Sequence, residues 1–303
     1  MRVEAINLDK HFKKVHAVNN LSFTIEPGRV TGFLGPNGSG KSTTMRLMLG
    51  LDSGSGQTLF DGKPLTQHSP VTRVVGAHLD AKFFHPKRTA YAHLRMLGSE
   101  SGVTKARVNE VLELVGLESV AKKRPGGFSL GMGQRLGLAS AILADPQVLM
   151  LDEPANGLDP QSIQWMRDFL RHYASLGRSV LVSSHLLSEM QLLADDLVVI
   201  AKGDLIAAET MKEFLSRASA GAVVVRTTDS RKLAEALQAQ GLTLVASGVD
   251  ELRVPDVTSD RVGHIAFAAG VPILELRTES ASLESVFLEL TENAQEYRIG
   301  GAQ

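Results

Sequence analysis

The sequence predicts an α/β fold built around a buried sheet, and two observations carry this prediction. Short β-branched runs alternate with helical patterns from residue 1 to about residue 215, which is typical of a layered α/β domain. Four near-continuous apolar runs also occur: VTGFLG (30–35), QVLMLDE (147–153), SVLVSSH (179–185) and DLVVIAKG (196–203). Runs of this kind are typical of strands covered on both faces, so we expect them to form the centre of the sheet.

The segment from residue 81 to residue 146 has a different pattern. Its apolar residues follow a mostly helical period, and a strand of the sheet is hard to place within it. We interpret this segment as a helical subdomain inserted into the α/β domain.

The length of the chain favours two domains. It has 303 residues, whereas one domain usually holds about 100–200 residues. The composition changes after about residue 216, so we expect one domain over 1–215 and a smaller one over 216–303. The second part has patterns in the order strand, helix, strand, strand, helix, strand, helix, which predicts an α+β, ferredoxin-like unit with a closing helix. We expect the last ten or so residues to be frayed.

Composition and charge exclude several kinds of partner. Lys and Arg total 32 against 33 Asp and Glu, and no basic run stands out, so nucleic-acid binding is not expected. The chain has no cysteine, which excludes disulfides and thiolate metal sites. The first residues contain no apolar signal core, and no run of about 18 apolar residues occurs. We therefore expect any membrane contact to go through another chain.

A phosphate-binding loop is predicted at FLGPNGSGKST (33–43). Gly35, Gly40, Lys41 and Ser42 match the pattern G-x-x-x-x-G-K-[ST] between a strand and a helix. The glycines let backbone N–H groups turn towards an anion, and the following helix adds its positive end. Lys41 is expected to reach the β- and γ-phosphates, and the Ser42 hydroxyl to bind Mg²⁺. The alternative is a flexible glycine-rich turn, but both the residues and their context favour a nucleoside triphosphate.

Two carboxylates follow the apolar run VLML. We expect Asp152, at the carboxyl end of a buried strand, to be a partner of Mg²⁺. Glu153 is expected to polarise an attacking water as a general base. The alternative is that both acids only cap the strand at the surface. His185 ends the next strand, and we expect it to bind the γ-phosphate or the water.

A second candidate anion site lies in GGFSLGMGQRLGLASAIL (126–143). Glycines precede Ser129 at a predicted N-cap, and a helical pattern follows, so the free N–H groups and the helix dipole suit a phosphate. An ordinary capped helix is the alternative, and this stretch taken alone favours it.

The ordered set of motifs resolves that alternative. The phosphate loop, the Ser129 stretch followed by Gln134-Arg135, the strand ending in Asp152-Glu153, NGLDP (156–160) and Ser184-His185 follow one another in the chain. In this order the chain resembles the ATP-binding subunit of a bacterial ABC transporter, over about residues 2–215. More narrowly it is similar to the drug- and antibiotic-export branch, and SLESVFLELTEN resembles the tail of that branch.

This resemblance implies a function and an assembly. The family's members hydrolyse ATP with Mg²⁺ and drive a separate transmembrane subunit, so the expected location is cytoplasmic, peripheral at the inner face of the cell membrane. It also implies a head-to-tail homodimer that closes on two ATP molecules and reopens on hydrolysis. Each ATP would lie between the phosphate loop of one subunit and the Ser129 stretch of the other.

The resemblance also implies roles for individual residues. Phe12 matches the aromatic residue that stacks on adenine, with Val18 nearby, although the sequence alone would make Phe12 a core residue of an edge strand. Asp159 matches the acid that links the two sites of the dimer. The remaining expected nucleotide contacts are Pro36, Asn37, Gly38, Ser39, Thr43, Ser129 and Gly131.

Some positions depart from the family pattern. Phe128, Leu130 and Met132 replace the Leu, the first Gly and the Gln of the usual signature L-S-G-G-Q, whereas Ser129 and Gly131 are retained. Asp80 stands where the family usually has the Gln that senses Mg²⁺ and water, and a carboxylate accepts hydrogen bonds without donating them. These departures concern turnover more than ATP binding. We expect the segment 81–94 to contact the membrane subunit.

The sequence is also compatible with two alternative functions. One is an ABC-type ATPase of translation or DNA repair, but the second nucleotide domain or the long coiled-coil insertion of those classes is not found here. The other is an ATP-dependent regulatory switch that senses a ligand through the C-terminal domain. That domain has no dense polar cluster, so a packing or dimerisation role is preferred. The sequence does not identify the transported compound.

Overall fold

The structure is a computed structural model. It describes residues 1–80, 84–85, 87–216, 222–246, 250–255, 257–278, 283–284 and 287. The chain divides into two compact units, Met1–Met211 and Lys212–Leu290, and each is described by itself.

The described residues of the first unit form ten strands and the helices between them. The strands are β1 (Val3–Phe12), β2 (Val15–Ile25), β3 (Val30–Leu34), β4 (Ser55–Phe60), β5 (Lys63–Pro64), β6 (Val75–His78), β7 (Val148–Leu151), β8 (Ser179–Ser184), β9 (Asp196–Ala201) and β10 (Asp204–Thr210). The helices are α1 (Lys41–Met48), α2 (Ala90–Leu97), α3 (Lys105–Leu114), α4 (Leu130–Ile142), α5 (Pro160–Ser175) and α6 (Leu187–Leu193), and α7 (Met211–Ser216) spans the division between the units.

The central sheet has the strand order β10-β9-β3-β8-β7-β6. All neighbouring pairs are parallel except β9 with β10, so the carboxyl ends of β3, β7 and β8 meet at one edge. The four apolar runs form β3, β7, β8 and β9, which confirms that part of the prediction. Strand β6 is not recognisable in the sequence, because only Gly76 and His78 of its four residues are buried and the run therefore lacks the continuous apolar character of its neighbours.

A second, antiparallel sheet of order β2-β1-β4-β5 shares a core with the central sheet. Phe33 of β3 and Phe23 of β2 lie with ring centroids 5.6 Å apart, and Met45 of α1 and Phe60 of β4 are fully buried in the same cluster. Burial of each such side chain stabilises the fold by about 1.5–3 kcal/mol. This core holds α1 and the loop before it in a fixed position.

The regular elements among the described residues between β6 and β7 are all helices. They include α2, α3 and α4, each of which begins at a hydroxyl N-cap: Thr89, Thr104 and Ser129. Each cap contributes about 1 kcal/mol by accepting a hydrogen bond from a free N–H group. Helix α4 packs against β6 and β7, so its N-terminus is attached to the central sheet.

The second unit has a regular order of elements. These are β11 (Val223–Thr227), α8 (Ser230–Ala239), β12 (Val245–Ala246), β13 (Glu251–Val254), α9 (Ser259–Ala268) and β14 (Ile273–Thr278). Its sheet has the order β12-β13-β11-β14, and all its pairs are antiparallel. The predicted closing helix and frayed end lie outside the described residues, apart from residues 283–284 and 287.

No helix in the described part of the chain is both long enough and apolar enough to cross a bilayer.

Candidate functional site

The loop between β3 and α1 has a backbone that requires glycine. Gly38 and Gly40 have φ of 80° and 107°, in the left-handed region that favours glycine. A Cβ atom at Gly40 would lie 2.3 Å from the carbonyl oxygen of Ala17, and one at Gly35 would lie 2.4 Å from that of Ile200. The chain therefore turns here in close contact with β2 and β9.

Lys41 lies inside this loop. Its side chain is only 7% exposed, and its Nζ atom donates hydrogen bonds to the carbonyl oxygens of Gly35 at 2.7 Å and Pro36 at 3.3 Å. The same Nζ atom lies 4.0 Å from Oε1 of Glu153. Burial lowers the pKa of Lys41, while the charges of Glu153 and Asp152 oppose this shift. The ammonium group thus lies between the loop and the two acids.

The start of α1 offers polar groups that the protein itself does not satisfy. No side chain caps the helix, and its first turn contains no acid. The Ser39 hydroxyl oxygen is buried and has no hydrogen-bond partner among the residues that the structure describes. Ser42 is exposed at the helix start. Free N–H groups, a positive helix end and an unpaired hydroxyl are what an anion site requires.

Asp152 and Glu153 follow β7 directly, at the same edge of the sheet. The Ser183 hydroxyl donates to Oδ1 of Asp152 at 2.5 Å and accepts from the backbone N–H of Glu153 at 2.9 Å. Glu153 has φ of 51°, which is uncommon for a residue with a side chain and occurs at functional sites. Ser183 thus orients both acids. Ser183 was not among the predicted site residues. The feature of the sequence that could have indicated it is a polar residue near the end of the otherwise apolar strand β8, which lies beside β7.

His185 contacts Glu153. Its Nδ1 atom lies 2.6 Å from Oε2 of Glu153, and the two side chains are 47% and 25% exposed. The carboxylate is therefore held between the imidazole on one oxygen and Lys41 on the other. A carboxylate fixed in this way and open to solvent can accept a proton from water.

The start of α4 lies apart from this group of residues. Ser129 caps the helix, as predicted, by accepting from the N–H group of Met132 at 3.2 Å. Within the described part of the chain, no hydrogen bond or ion pair joins Ser129 or Gly131 to the phosphate loop. The structure therefore brings together Lys41, Asp152, Glu153 and His185, and leaves the second candidate anion site separate in one chain.

Leu130 contacts the loop that precedes α5. A Cβ atom added to Gly157, which has φ of 72°, would lie 2.1 Å from Cδ2 of Leu130. Next to this pair, a Cβ atom at Gly131 would lie 3.2 Å from Leu158. Leu130 is 53% exposed, so part of its side chain covers Gly157 and part faces solvent.

Asp159 caps α5. Its Oδ1 atom accepts from the N–H group of Ser162 at 2.8 Å, and this bond lowers the pKa of Asp159. Arg135 of α4 donates to the Ser162 hydroxyl at 3.2 Å and lies 4.4 Å from the ring centroid of Trp165. These contacts connect α4 to the loop that carries Asp159.

Phe12 is exposed rather than buried. It is 48% exposed, whereas Val18 is fully buried, so the core interpretation of Phe12 is wrong. The reason is that β1 pairs with β4 only as far as Asp9, and Phe12 therefore has a neighbouring strand on one side only. The Lys10 ammonium lies 4.9 Å from its ring centroid.

Asp80 is exposed and lies two residues after β6. At the end of that strand, Nε2 of the buried His78 lies 2.8 Å from Oε1 of the buried Gln134 in α4. Burial lowers the pKa of His78, and the bond to Gln134 opposes the shift. This pair joins the strand before Asp80 to the helix of Ser129. Of the segment 81–94, residues 81–83 and 86 lie outside the described residues.

Comparison with known proteins gives a family for this arrangement. A model described as ABC transporter matches residues 18–156, and one described as a domain of unknown function matches residues 221–284. Over 298 residues the chain is 36% identical to the uncharacterized ABC transporter ATP-binding protein YhcH of Bacillus subtilis (strain 168), and the match covers 97% of each. It is 32% identical over 297 residues to the bacitracin transport ATP-binding protein BcrA of Bacillus licheniformis, covering 95% of this chain and 96% of the relative.

A solved structure supports the fold. The chain matches the structure of an ATP binding subunit of an ABC transporter with a TM-score of 0.65 at 24% identity, over 72% of this chain and 93% of that chain. The first unit thus has the α/β P-loop fold of the ABC ATPases, which confirms that prediction. Because relatives that are more than 30% identical match nearly the whole chain, the chain belongs to the ATP-binding proteins of ABC transporters, which bind ATP and hydrolyse it.

Proposed function

We propose that this chain powers the export of an antibiotic-like compound through a separate transmembrane subunit. The observation that carries the proposal is the group formed by Lys41, Glu153 and His185 at the carboxyl edge of the parallel sheet. This group places a cation for phosphate, a base for water and a residue that orients the base in one place. Relatives with names such as bacitracin transport ATP-binding protein support the class of compound.

The residues of the phosphate loop are assigned to ATP binding. Backbone N–H groups of residues 37–40 and the start of α1 would hold the phosphates, and the Lys41 ammonium would neutralise the β- and γ-phosphate oxygens. Phe12 is assigned to the adenine ring because an exposed aromatic side chain at the end of a strand can stack on a base. The fully buried Val18 supports the strand beside it. Ser42 and Thr43, at the start of α1, are also assigned to contacts with ATP.

Glu153 and His185 are assigned to the chemical step. The carboxylate of Glu153 would take a proton from water as the water attacks the γ-phosphate. The contact between Nδ1 of His185 and Oε2 of Glu153 fixes which carboxylate oxygen faces the water. Lys41 stabilises the charge that develops on the transferred phosphoryl group.

Mg²⁺ fits the oxygen donors that are present. Ser42 offers an exposed hydroxyl beside the phosphate loop, and Asp152 offers a carboxylate that Ser183 orients. Mg²⁺ is usually held by one or two carboxylates together with substrate phosphates. Asp80, exposed after β6, is assigned as a further oxygen donor. The ion would neutralise phosphate charge.

A head-to-tail homodimer would explain the second anion site. The first N–H groups of a helix have no intrahelical partner, and no contact joins Ser129 or Gly131, at the start of α4, to the phosphate loop of their own chain within the described ranges. A second copy would place them on the ATP of the first, with Asp159 at the junction. ATP binding would close this dimer, and hydrolysis would open it.

The C-terminal domain is proposed to be ferredoxin-like, over 216–303. Support comes from the antiparallel order β12-β13-β11-β14 and the βαββαβ order of its elements. Its apolar cluster, which includes Val225, Leu237 and Val262, supports a separate core. We further propose that the ATPase domain spans 1–215 and that the subunit works at the inner face of the membrane, bound to its partner.

The ATPase assignment is tested with Glu153→Gln. The amide cannot accept the proton of water, so ATP should still bind while turnover falls by about 100-fold or more. Size-exclusion chromatography in ATP and Mg²⁺ should then show a dimer that persists. Glu113→Gln, an exposed change on α3, is the matched control and should keep parental turnover and elution. Parental turnover in Glu153→Gln would refute the assignment of the base.

Export is tested with membranes that contain the partner. The complex is extracted in detergent, reconstituted into vesicles and assayed for ATP-dependent movement of a labelled peptide antibiotic. Movement by the parent and none by Glu153→Gln is the expected result. ATP hydrolysis without any co-purifying membrane-spanning chain would contradict the transport assignment and leave the ATPase assignment intact.

A further inference from the structure

A cluster of three metal-binding side chains lies on the hairpin of β1 and β2. Asp9 and His11 are two residues apart on β1, and His16 is the strand partner of His11 on β2. Their possible ligand atoms all lie within 4.8 Å of one another. The rings of His11 and His16 are stacked, with centroids 3.7 Å apart and an angle of 18° between their planes. The proposed ATP site uses none of these side chains.

The distances within the cluster are close to those around one tetrahedral ion. Nε2 of His16 lies 2.7 Å from Oδ2 of Asp9, and Nδ1 of His11 lies 3.3 Å from Oδ1 of Asp9. Donors that bind Zn²⁺ at about 2.0–2.2 Å in tetrahedral geometry lie about 3.4 Å apart. Since the three side chains are 27–57% exposed, small torsional changes can bring them to that spacing. Two imidazoles and one carboxylate also leave a position for water.

The donor types select a class of ion. Imidazole nitrogen suits Zn²⁺, Cu²⁺ and Ni²⁺, whereas Mg²⁺ and Ca²⁺ prefer oxygen donors. The nearest cation on β1, Lys10, is directed elsewhere, because its Nζ atom contacts Ser53 and lies 4.9 Å from the Phe12 ring centroid. A metal-free hydrogen-bonded cluster is the other arrangement that these side chains can form.

We propose that Asp9, His11 and His16 bind one Zn²⁺-like transition-metal ion. Such an ion would join β1 to β2 at the end of the hairpin, next to Phe12. It would thereby fix the backbone that presents the Phe12 ring. The link to ATP affinity rests on the proposed role of Phe12 in adenine binding, whereas the metal site itself does not.

Metal binding is tested by calorimetric titration of the full chain with Zn²⁺. The protein carries no polyhistidine tag, nucleotide is left out, and excess Mg²⁺ occupies the oxygen donors near Asp152. We expect one Zn²⁺ per chain, with affinity at least about tenfold weaker in both His11→Asn and His16→Asn. His172→Asn, an exposed change on α5, is the matched control and should bind as the parent does. No binding, or equal affinity in parent and cluster variants, would overturn the proposal.

A second measurement tests the link to nucleotide. ATP affinity is measured with and without Zn²⁺ in the parent and in His16→Asn. We expect Zn²⁺ to change the ATP affinity of the parent but not that of His16→Asn. Zn²⁺ binding at the cluster with unchanged ATP affinity would overturn the link. If ATP bound to none of the proteins, the proposed function would fail, while the Zn²⁺ titration would still decide the metal site.

Discussion

His185 holds Glu153 through a contact of 2.6 Å between Nδ1 and Oε2, and this contact leaves Oε1 facing the Lys41 ammonium at 4.0 Å. The two contacts act on different oxygens of one carboxylate. The orientation of the base is therefore set from both sides, by β8 through His185 and by the phosphate loop through Lys41.

This relationship predicts the effect of His185→Ala. Glu153 would remain but lose the contact that orients it, so turnover should fall by about 100-fold, as for loss of a positioned acid–base group. ATP affinity should change little, since Lys41 and the loop are untouched. Steady-state turnover and equilibrium ATP binding measure the two quantities, and His172→Asn again serves as the control. A loss of affinity in proportion to turnover would show that His185 acts in binding.

Lys41→Met should weaken ATP binding. The methionine keeps an apolar stem in the buried position and removes only the ammonium group. A charge-assisted hydrogen bond is worth about 1.5–3 kcal/mol, which corresponds to roughly 10–150-fold in the dissociation constant. Fluorescent-nucleotide titration measures it, with Lys105→Met, an exposed change at the start of α3, as the control. Equal affinity in Lys41→Met and the parent would contradict the assigned phosphate contact.

Contiguous motifs account for what could be predicted of this site. The phosphate loop and Asp152-Glu153 lie on single short segments whose local sequence fixes their conformation, so pattern and context identify them. The hydroxyl of Ser183 could not be assigned in this way. It depends on the register of β8 against β7, in which Leu151 is the partner of Val182, and register is a tertiary property.

The fold also has some features that the local sequence predicts and others that depend on tertiary neighbours. The strands β3, β7, β8 and β9 are buried on both faces and were therefore found from apolar runs. The short β6 was not found, and Phe12 could not be placed outside the core, because both depend on which strands lie beside them. Leu130 was identified only as a departure from a family pattern. Its contact with Gly157 requires the packing of two segments that are distant in sequence.

Tyr173 provides a prediction about stability. Its hydroxyl donates to the carbonyl oxygen of Pro146 at 2.7 Å, and burial raises its pKa to about 12. The unfolded chain loses the same proton near pH 10. The contribution of the protonated hydroxyl is thus complete below pH 10 and is lost as the pH rises through 12. At pH 11 the loss should be about 1.4 kcal/mol.

Denaturant unfolding of the parent and Tyr173→Phe at pH 9 and pH 11 measures this contribution. The variant should be less stable at pH 9, by about 1 kcal/mol for the lost hydrogen bond. The difference should shrink or reverse at pH 11, since phenylalanine has no proton to lose. A difference that is the same at both pH values would contradict the pKa assigned to Tyr173.

The contact between Leu130 and Gly157 predicts the effect of Gly157→Ala. In Gly157→Ala the new Cβ atom would lie 2.1 Å from Cδ2 of Leu130, so either the Leu130 side chain must rotate away or the start of α4 must move from the loop before Asp159. Turnover should fall if Ser129 and Asp159 act together across the dimer. The backbone strain of a non-glycine residue at positive φ adds about 1–2 kcal/mol.

Gly177→Ala is a control that separates the effect of backbone strain from the effect of the clash with Leu130. Gly177 has φ of 82° and nothing within 4 Å of its Cβ position, so this variant carries similar strain without a clash and should keep turnover. Combining Gly157→Ala with Leu130→Ala removes the clash and should recover part of the lost turnover, although the strain remains. Because two neighbouring changes share one contact, their effects on turnover should not add. Additive losses in the double variant would show that Leu130 and Gly157 act independently.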